Sequence, residues 1–485
     1  MNLNKSLIAC AIVMALGMNQ QVFATETDSS KEAPVQIQSD FMADAAGNVI
    51  ILTQGSEAEN AYGNDVSLFQ EGDQNGINAS IDGDNNTSEV SQIGTGNISV
   101  SVSSGDNNTQ STYQDGADNE LQSNVEGNDN SVTLVQNGTS STFVDNRIVS
   151  KIIGDGNTID ATQEEGGQWL YNRNMEGSEN SVTSVQSGEW NEIHLDNVVG
   201  DGNTFEVEQE GYYNITRITD LQGSNNDFEI EQEGDRNGVT IASIEGDSND
   251  IEITQDGNSN SAISDVFIGS DNEVTLTQLG DENTSSFDVI GDNNDFTVSQ
   301  AGAENTSYVG ALGNSNDFTV MQNGDLNSSH IVNFNGSDND VDVIQAGTEN
   351  TAIIQASVDD NTLFSNDNNI MLNQTGNQND AVLNMSTILD TNNNTIDLVQ
   401  DGDLNSLDIL VEGSNHTIDI FQDGDENLII GADGADAMLI GGAATNFALN
   451  QKGNGNIVEG SIISGGGSVE ITQMGDFNTA TIVQQ

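Results

Sequence analysis

The sequence contains almost no proline, cysteine or positive charge. Its 485 residues include one proline, one cysteine and eight lysines and arginines in total, against 78 acidic residues. A single cysteine excludes a disulfide framework, so the stability of the chain comes from its backbone and its packing. The formal net charge of −70 repels phosphate groups, which excludes nucleic acid as a partner.

Turn-forming residues are plentiful, and apolar residues are moderate in number. There are 51 glycines and many asparagines and aspartates, all of which favour tight turns. The hydrophobic fraction of 34% is enough to line a thin core but is lean for several thick ones. This composition favours a small repeated unit that shares one narrow core.

The first 24 residues have the features of a secretory signal peptide. Lys5 precedes an apolar run from Leu7 to Met18, and Val22 and Ala24 occupy the small-residue positions before a cleavage site. Cleavage there would also remove Cys10. No later segment approaches the ~20 apolar residues of a spanning helix, so we expect an exported chain without a membrane span. The predicted organisation is a signal peptide at 1–24, a flexible or secretion-targeting segment at 25–47 and a repeat domain at 48–485.

A glutamine recurs along most of the chain at a nearly constant spacing. Most steps are 22 or 23 residues, and a fixed period between 20 and 50 residues is typical of a solenoid or array. The spacing defines nineteen units. Their glutamines are Gln54, Gln70, Gln92, Gln114, Gln136, Gln163, Gln186, Gln209, Gln232, Gln255, Gln278, Gln300, Gln322, Gln345, Gln374, Gln400, Gln422, Gln451 and Gln473.

The residues before each glutamine alternate between polar and apolar. The segment from Asn226 to Gln232 reads Asn-Asp-Phe-Glu-Ile-Glu-Gln, a period of two that is typical of a strand with one buried face. Its acidic residues are predicted to face water, and its Asn, Phe, Ile and Gln to face the interior. An asparagine stands six residues before the glutamine in all units except those with His416, Thr445 and Gly467. The predicted interior asparagines include Asn226, Asn249, Asn272, Asn294 and Asn316.

A turn and a second strand follow each glutamine. In Gly302-Ala-Glu-Asn305 the glycine permits a positive φ angle, and a strand from Asn305 to Ala311 comes next. Since Asn294, Asn305 and Asn316 are eleven residues apart, each unit consists of two strand-and-turn halves. The predicted turn glycines include Gly94, Gly116, Gly211, Gly234, Gly257, Gly280, Gly302 and Gly324.

Stacking of these units predicts an all-β solenoid of about nineteen two-strand rungs, of either handedness. Equivalent strands then lie about 4.8 Å apart and align like residues in register, as in amyloid. Buried amide side chains are costly unless they form hydrogen bonds. We therefore expect the interior glutamines and asparagines to bond to their equivalents in successive rungs.

The repeat resembles the curlin repeat, in which Gln-x-Gly-x-x-Asn recurs in each unit. Sixteen units share that motif, as at Gln92 to Asn97 and Gln278 to Asn283. The last unit also matches the second half of the family pattern, from Gln473 to Gln484. The chain departs from the family in three ways: Asn replaces Ser at the start of the first strand, the second Gln is mostly lost, and there are nineteen repeats where family members usually have about five.

The resemblance implies a secreted structural subunit of curli fibres, the functional amyloid of Gram-negative biofilms and cell adhesion. It also implies the partners of such a subunit, namely other copies of the chain, a nucleator subunit and an outer-membrane secretion pore. The expected location is extracellular, on fibres at the cell surface. An alternative with the same fold is a soluble, secreted, calcium-dependent adhesin or binding module with capped ends. The regular last unit, which lacks an atypical capping sequence, favours the fibre.

The acidic residues are interpreted mainly as a solvated outer face that slows aggregation. Carboxylates stacked on successive rungs also offer oxygen ligands for calcium, although no cofactor is required. The segment from Gly431 to Met438 resembles a calcium repeat only weakly and is interpreted as an inserted loop. His194, His330 and His416 occupy different phases of the repeat and have no recurring catalytic partner, so no enzymatic activity is expected.

Overall fold

The computed structural model describes residues 48–55, 63–139, 145–356, 363–432 and 437–484. The predicted signal peptide at 1–24 and the segment at 25–47 lie outside these residues. The described chain is all-β and forms a β-solenoid, which confirms the predicted fold. It alternates between two parallel sheets that face each other across one core.

The first sheet carries the repeated glutamines, and we call it the glutamine sheet. Its strands pair in one line from the first to the last, and all of these pairings are parallel. The strands are β2 (Asp65–Asp73), β4 (Thr87–Thr95), β6 (Thr109–Ala117), β8 (Ser131–Thr139), β10 (Thr158–Glu164), β12 (Ser181–Glu189), β15 (Thr204–Tyr212), β17 (Asp227–Asp235), β19 (Asp250–Asp256), β22 (Glu273–Leu279), β24 (Asp295–Ala301), β26 (Asp317–Asn323), β28 (Asp340–Thr348), β31 (Asn369–Asn377), β34 (Thr395–Asp401), β36 (Thr417–Asp423), β39 (Thr445–Lys452) and β41 (Gly467–Met474).

The second sheet has many buried serines, and we call it the serine sheet. Its strands are β1 (Val49–Gly55), β3 (Gly76–Asp82), β5 (Ile98–Ser104), β7 (Glu120–Glu126), β9 (Arg147–Ile153), β11 (Trp169–Glu176), β13 (Glu192–Leu195), β14 (Val198–Val199), β16 (Ile215–Gln222), β18 (Gly238–Glu245), β20 (Ser261–Ser264), β21 (Phe267–Ile268), β23 (Thr284–Ile290), β25 (Thr306–Leu312), β27 (Ser328–Phe334), β29 (Thr351–Ala356), β32 (Asp380–Met385), β35 (Ser406–Ser414), β37 (Leu428–Gly431), β38 (Met438–Ala443), β40 (Ile457–Ser464) and β42 (Thr479–Gln484). Two further short strands, β30 (Ser365–Asn366) and β33 (Thr391–Asn392), pair with each other.

Three rungs of the serine sheet are each divided into two strands. The pairs β13/β14, β20/β21 and β37/β38 each lie between the same two neighbouring strands. The 22 strands of this sheet therefore occupy 19 rungs, whereas the glutamine sheet has 18. The predicted calcium-like segment falls between β37 and β38, and its residues 433–436 lie outside the described residues.

Like residues stack on like residues through the core. Phe205 lies opposite Phe228 in the pairing of β15 with β17, and their rings are parallel with centroids 4.9 Å apart. Both side chains are fully buried, and burial of a phenylalanine stabilises a fold by about 1.5–3 kcal/mol. The alternation seen in the sequence thus puts one apolar row per sheet into a continuous core.

One part of the predicted repeat is wrong. Gln54 was expected to begin the glutamine series, but it lies in β1 of the serine sheet, opposite Ile81. Gln54 precedes Gln70 by 16 residues instead of the usual 22 or 23, which places it half a unit out of phase. Eighteen glutamines, from Gln70 to Gln473, therefore share one sheet.

Candidate functional site

The eighteen glutamines form a single hydrogen-bonded ladder through the core. Each Nε2 donates to Oε1 of the glutamine in the next rung, over 2.7–3.0 Å. The direction is the same at every step, from lower to higher residue number. The ladder therefore ends with an acceptor, Gln70 Oε1, at one end and with the Gln473 amide at the other.

Each ladder glutamine also joins the two sheets. Its Nε2 donates to the backbone carbonyl at the start of the preceding serine-sheet strand, as Gln278 does to Ser261 (3.2 Å) and Gln300 to Thr284 (3.1 Å). The same contact occurs in all eighteen rungs of the ladder. Both amide hydrogens are thus used, which offsets the cost of burying the group.

The interior asparagines lie at the turns and form a ladder of opposite direction. Asn294 Nδ2 donates to Oδ1 of Asn272 in the preceding rung (3.1 Å) and to the Gly313 carbonyl (2.9 Å). The Asn294 backbone N–H donates to the same Asn272 Oδ1 (2.9 Å). Asn226, Asn249, Asn272, Asn294 and Asn316 all lie in this ladder, which begins at Asn64.

A second asparagine ladder runs along the other turn. It extends from Asn48 to Asn478, and its members bond to the preceding rung in the same way, as Asn305 does to Asn283. The sequence analysis did not include this ladder among the candidate sites. The eleven-residue spacing of asparagines was the signal for it, because that spacing places an equivalent asparagine at both turns.

His416 takes the place of an asparagine in the first ladder. Its backbone N–H donates to Asn394 Oδ1 (2.8 Å), and its Nδ1 accepts from the Thr445 N–H (3.2 Å). Burial lowers the pKa of His416, which keeps Nδ1 available as an acceptor. The imidazole therefore fills the structural position of the amide.

The predicted turn glycines adopt the conformation expected of them. Gly94, Gly116, Gly211, Gly234, Gly257, Gly280, Gly302 and Gly324 all have φ between 100° and 123°. At Gly280, a Cβ atom would lie 2.2 Å from the Gly302 carbonyl oxygen of the next rung. Glycine is required here both for the backbone angle and for the rung spacing.

The two ends of the described stack expose apolar residues beside unpaired strand edges. Among the described strands, β1 and β2 pair on one side only at one end, as do β41 and β42 at the other. Ile50 and Leu52 are each nearly half exposed, because no strand of the glutamine sheet faces β1 among the described residues. Val469 and Ile471 at the opposite end are only partly buried. Such edges offer main-chain donors and acceptors to another chain.

The outer face of the glutamine sheet is acidic. Glu206, Glu229 and Glu252 lie in register on three successive strands. Desolvation, followed by the repulsion from Glu206 and Glu252, raises the pKa of Glu229. Stacking like charges on successive rungs thus opposes the folded state at neutral pH.

No metal-binding group was found in the part of the chain that the structure describes; three or more His, Cys, Asp or Glu side chains do not converge there. His194 lies on β13 and His330 on β27, so the structure does not bring the histidines together. None of the described residues forms a helix with the length and apolar character needed to cross a membrane. The fold is of a kind that serves structure more typically than catalysis.

Comparison with known families assigns the repeat. The Curlin associated repeat matches eight segments, namely residues 177–211, 200–234, 223–257, 246–280, 269–302, 291–324, 313–347 and 391–424. The chain is a curlin-repeat protein. No curated protein matches it.

The matched segments fall where the glutamine sheet is most regular. They cover β15 to β28 without interruption and return at β34. The segments without a match include the rungs around β31 and β39, where longer connections separate successive ladder glutamines. The curlin repeat in this protein is thus one rung of the solenoid, with its two turns.

Proposed function

We propose that this curlin-repeat protein is a structural subunit of a curli-type extracellular fibre, in which copies stack end to end. The observation that carries this proposal is the pair of open ends. Both sheets terminate in unpaired strands, and the glutamine ladder presents an acceptor at Gln70 and an amide donor at Gln473. Ends of this kind are complementary, so a second copy extends the same ladders.

The family assignment supports the setting of that function. A curli-type subunit acts outside a Gram-negative cell in matrix formation and adhesion, reaches the surface through an outer-membrane pore and assembles on a nucleator subunit. The predicted signal peptide agrees with export. In this proposal the protein has no catalytic role, and calcium, if it binds, bridges carboxylates of the acidic face without being required for the fold.

Electron microscopy of the purified chain after removal of denaturant tests the proposal. We expect unbranched fibres that bind thioflavin and give a diffraction spacing of about 4.7–4.8 Å along the fibre. A chain that stays a monodisperse monomer for days, with and without calcium, would contradict the fibre and support the soluble adhesin.

A further inference from the structure

One column of the serine sheet is apolar along almost its whole length but has a glutamine at each end. In every rung this position lies six or seven residues after the turn asparagine. The column begins with Gln54 opposite Ile81 and finishes with Ile462 opposite Gln484. Between these ends its residues are buried and, apart from Ser103, hydrophobic: Ile81, Ser103, Val125, Ile152, Met175, Val198, Leu221, Ile244, Phe267, Val289, Ala311, Phe334, Ala356, Met385, Val411, Ile440 and Ile462.

Solvent capping does not explain these two glutamines. A strand that caps a solenoid has polar residues along its inward face. In β1 the inward neighbours of Gln54 are Ile50 and Leu52, and in β42 those of Gln484 are Ala480 and Ile482. Both strands are therefore built like interior strands, with one amide added.

Resting on the proposed fibre function, we propose that β42 of one copy stacks in register on β1 of the next, so that Gln484 and Gln54 form a hydrogen-bonded amide pair across the junction. Both strands have the sequence Asn-x5-Gln, from Asn48 to Gln54 and from Asn478 to Gln484. The same register brings the Asn48 N–H to Asn478 Oδ1, which continues the second asparagine ladder. A buried amide next to its equivalent is satisfied, whereas one between two isoleucines is not.

The alternative junction leaves an amide unpaired. If β42 displaced β1 and paired with β3, Gln484 would lie between Ile462 of its own chain and Ile81 of the next copy. Gln54 would then leave the stack altogether. The amide pairing therefore favours direct stacking over displacement.

Direct stacking also predicts what fills the glutamine sheet at the junction. Because that sheet has 18 rungs and the serine sheet 19, β2 of the incoming copy would lie two strand spacings, about 10 Å, from β41. Serine-sheet strands follow glutamine-sheet strands along the chain, so the chain enters β1 from this side. We assign the open position to residues 25–47 of the incoming copy, since seven residues are enough for a strand of about 23 Å.

Paired cysteines test the junction in a chain carrying Cys10→Ser. Equivalent residues on adjacent parallel strands lie about 4.8 Å apart, within the range of a disulfide. Gln54→Cys with Gln484→Cys should give covalent multimers after oxidation of fibres. The two sites are roughly 85 Å apart within one copy, so the link must join different copies. The register-shifted control, Leu52→Cys with Gln484→Cys, should not cross-link.

The outcomes separate the inference from the proposed function. Fibres without the Gln54–Gln484 link would overturn the junction and leave the fibre function standing, and a link from Gln484→Cys to Ile81→Cys would show displacement of β1. A parent chain that forms no fibres would contradict the function itself. Deletion of residues 25–47 should slow elongation roughly tenfold, as loss of about 1.4 kcal/mol at the junction would. Elongation at the parent rate would remove that segment from the junction.

Discussion

The two sheets of the solenoid contain equivalent halves of the same repeat but differ in regularity. Every rung of the glutamine sheet described is a single strand of seven to nine residues. In the serine sheet, three rungs are divided, and the pairings of β9 with β11 and of β25 with β27 shift in register. The difference follows the side chains that line the core.

Side chains that bond along the stack fix its register. Each ladder glutamine is held by the rung above, the rung below and the facing sheet, so a one-residue slip breaks three hydrogen bonds. The equivalent serines are buried without this restraint, since the hydroxyls of Ser285, Ser307 and Ser329 have no hydrogen-bond partner among the described residues. Insertions and bulges are therefore tolerated in the serine sheet.

The largest expected effect comes from breaking the rung spacing at a turn of the glutamine sheet. Gly280→Ala should lower the free energy of unfolding by about 2–5 kcal/mol, because it combines strain at a positive φ with a clash against the Gly302 carbonyl. Denaturant unfolding of the purified chain measures it. The matched control is Gly238→Ala in the serine sheet, where no atom lies within 4 Å of the added Cβ. Equal losses in both variants would show that rung spacing is not the limit.

Removal of one amide from the glutamine ladder should have the next largest effect. Gln278→Leu leaves Gln255 without an acceptor, Gln300 without a donor and the Ser261 carbonyl unpaired, at a cost of about 1–3 kcal/mol. The denaturant midpoint should fall and fibre growth should slow. Thr277→Ser on the outer face of the same strand should change neither quantity. If both variants behave alike, the ladder does not stabilise this sheet.

The acidic outer face should make stability depend on pH. The folded pKa of Glu229 is raised, so the folded chain binds more protons than the unfolded chain as pH falls. Stability should rise as pH falls from 7 through the raised pKa, and the gain should be complete below about 4, the usual range of an unfolded carboxyl.

A charge-removing variant isolates this effect. Glu229→Gln should raise the denaturant midpoint at pH 7 and have little effect near pH 4, where the native carboxyl is neutral. Glu89→Gln is the control, because Glu89 lies between Ser67 and Ser111 on its neighbouring strands. A gain of the same size at both sites would assign the effect to net charge and not to stacking.

The smallest expected change lies in the serine sheet. Ser285→Ala removes a buried hydroxyl that has no partner and should raise the free energy of unfolding by about 0.5–1 kcal/mol. Ser286→Ala, on the outer face of the same strand, should be neutral. A loss of stability in Ser285→Ala would mean that the serine sheet depends on polar contacts as the glutamine sheet does.

The regular parts of this fold could be predicted from the sequence because side-chain period and Gln spacing report the same register. The phase of Gln54 was mistaken because a glutamine alone does not say which half of the unit it belongs to, whereas its distance from Gln70 does. The divisions of the serine sheet were not predicted. Extra residues in a unit show that the chain is longer there, but not at which point it leaves the sheet. The bond from each glutamine to the facing carbonyl also needed the structure, since no residue type marks it.

The opposite directions of the amide ladders have an electrostatic consequence for length. In an α-helix the peptide dipoles add up, so that opposite partial charges accumulate at the two ends. Here the glutamine amides point their N–H groups towards higher rungs, and the asparagine amides point theirs towards lower rungs. Side-chain dipoles therefore oppose each other within every rung. A growing stack of such rungs gains hydrogen bonds without building a field along its axis, so the last rung added meets the same electrostatic environment as the first.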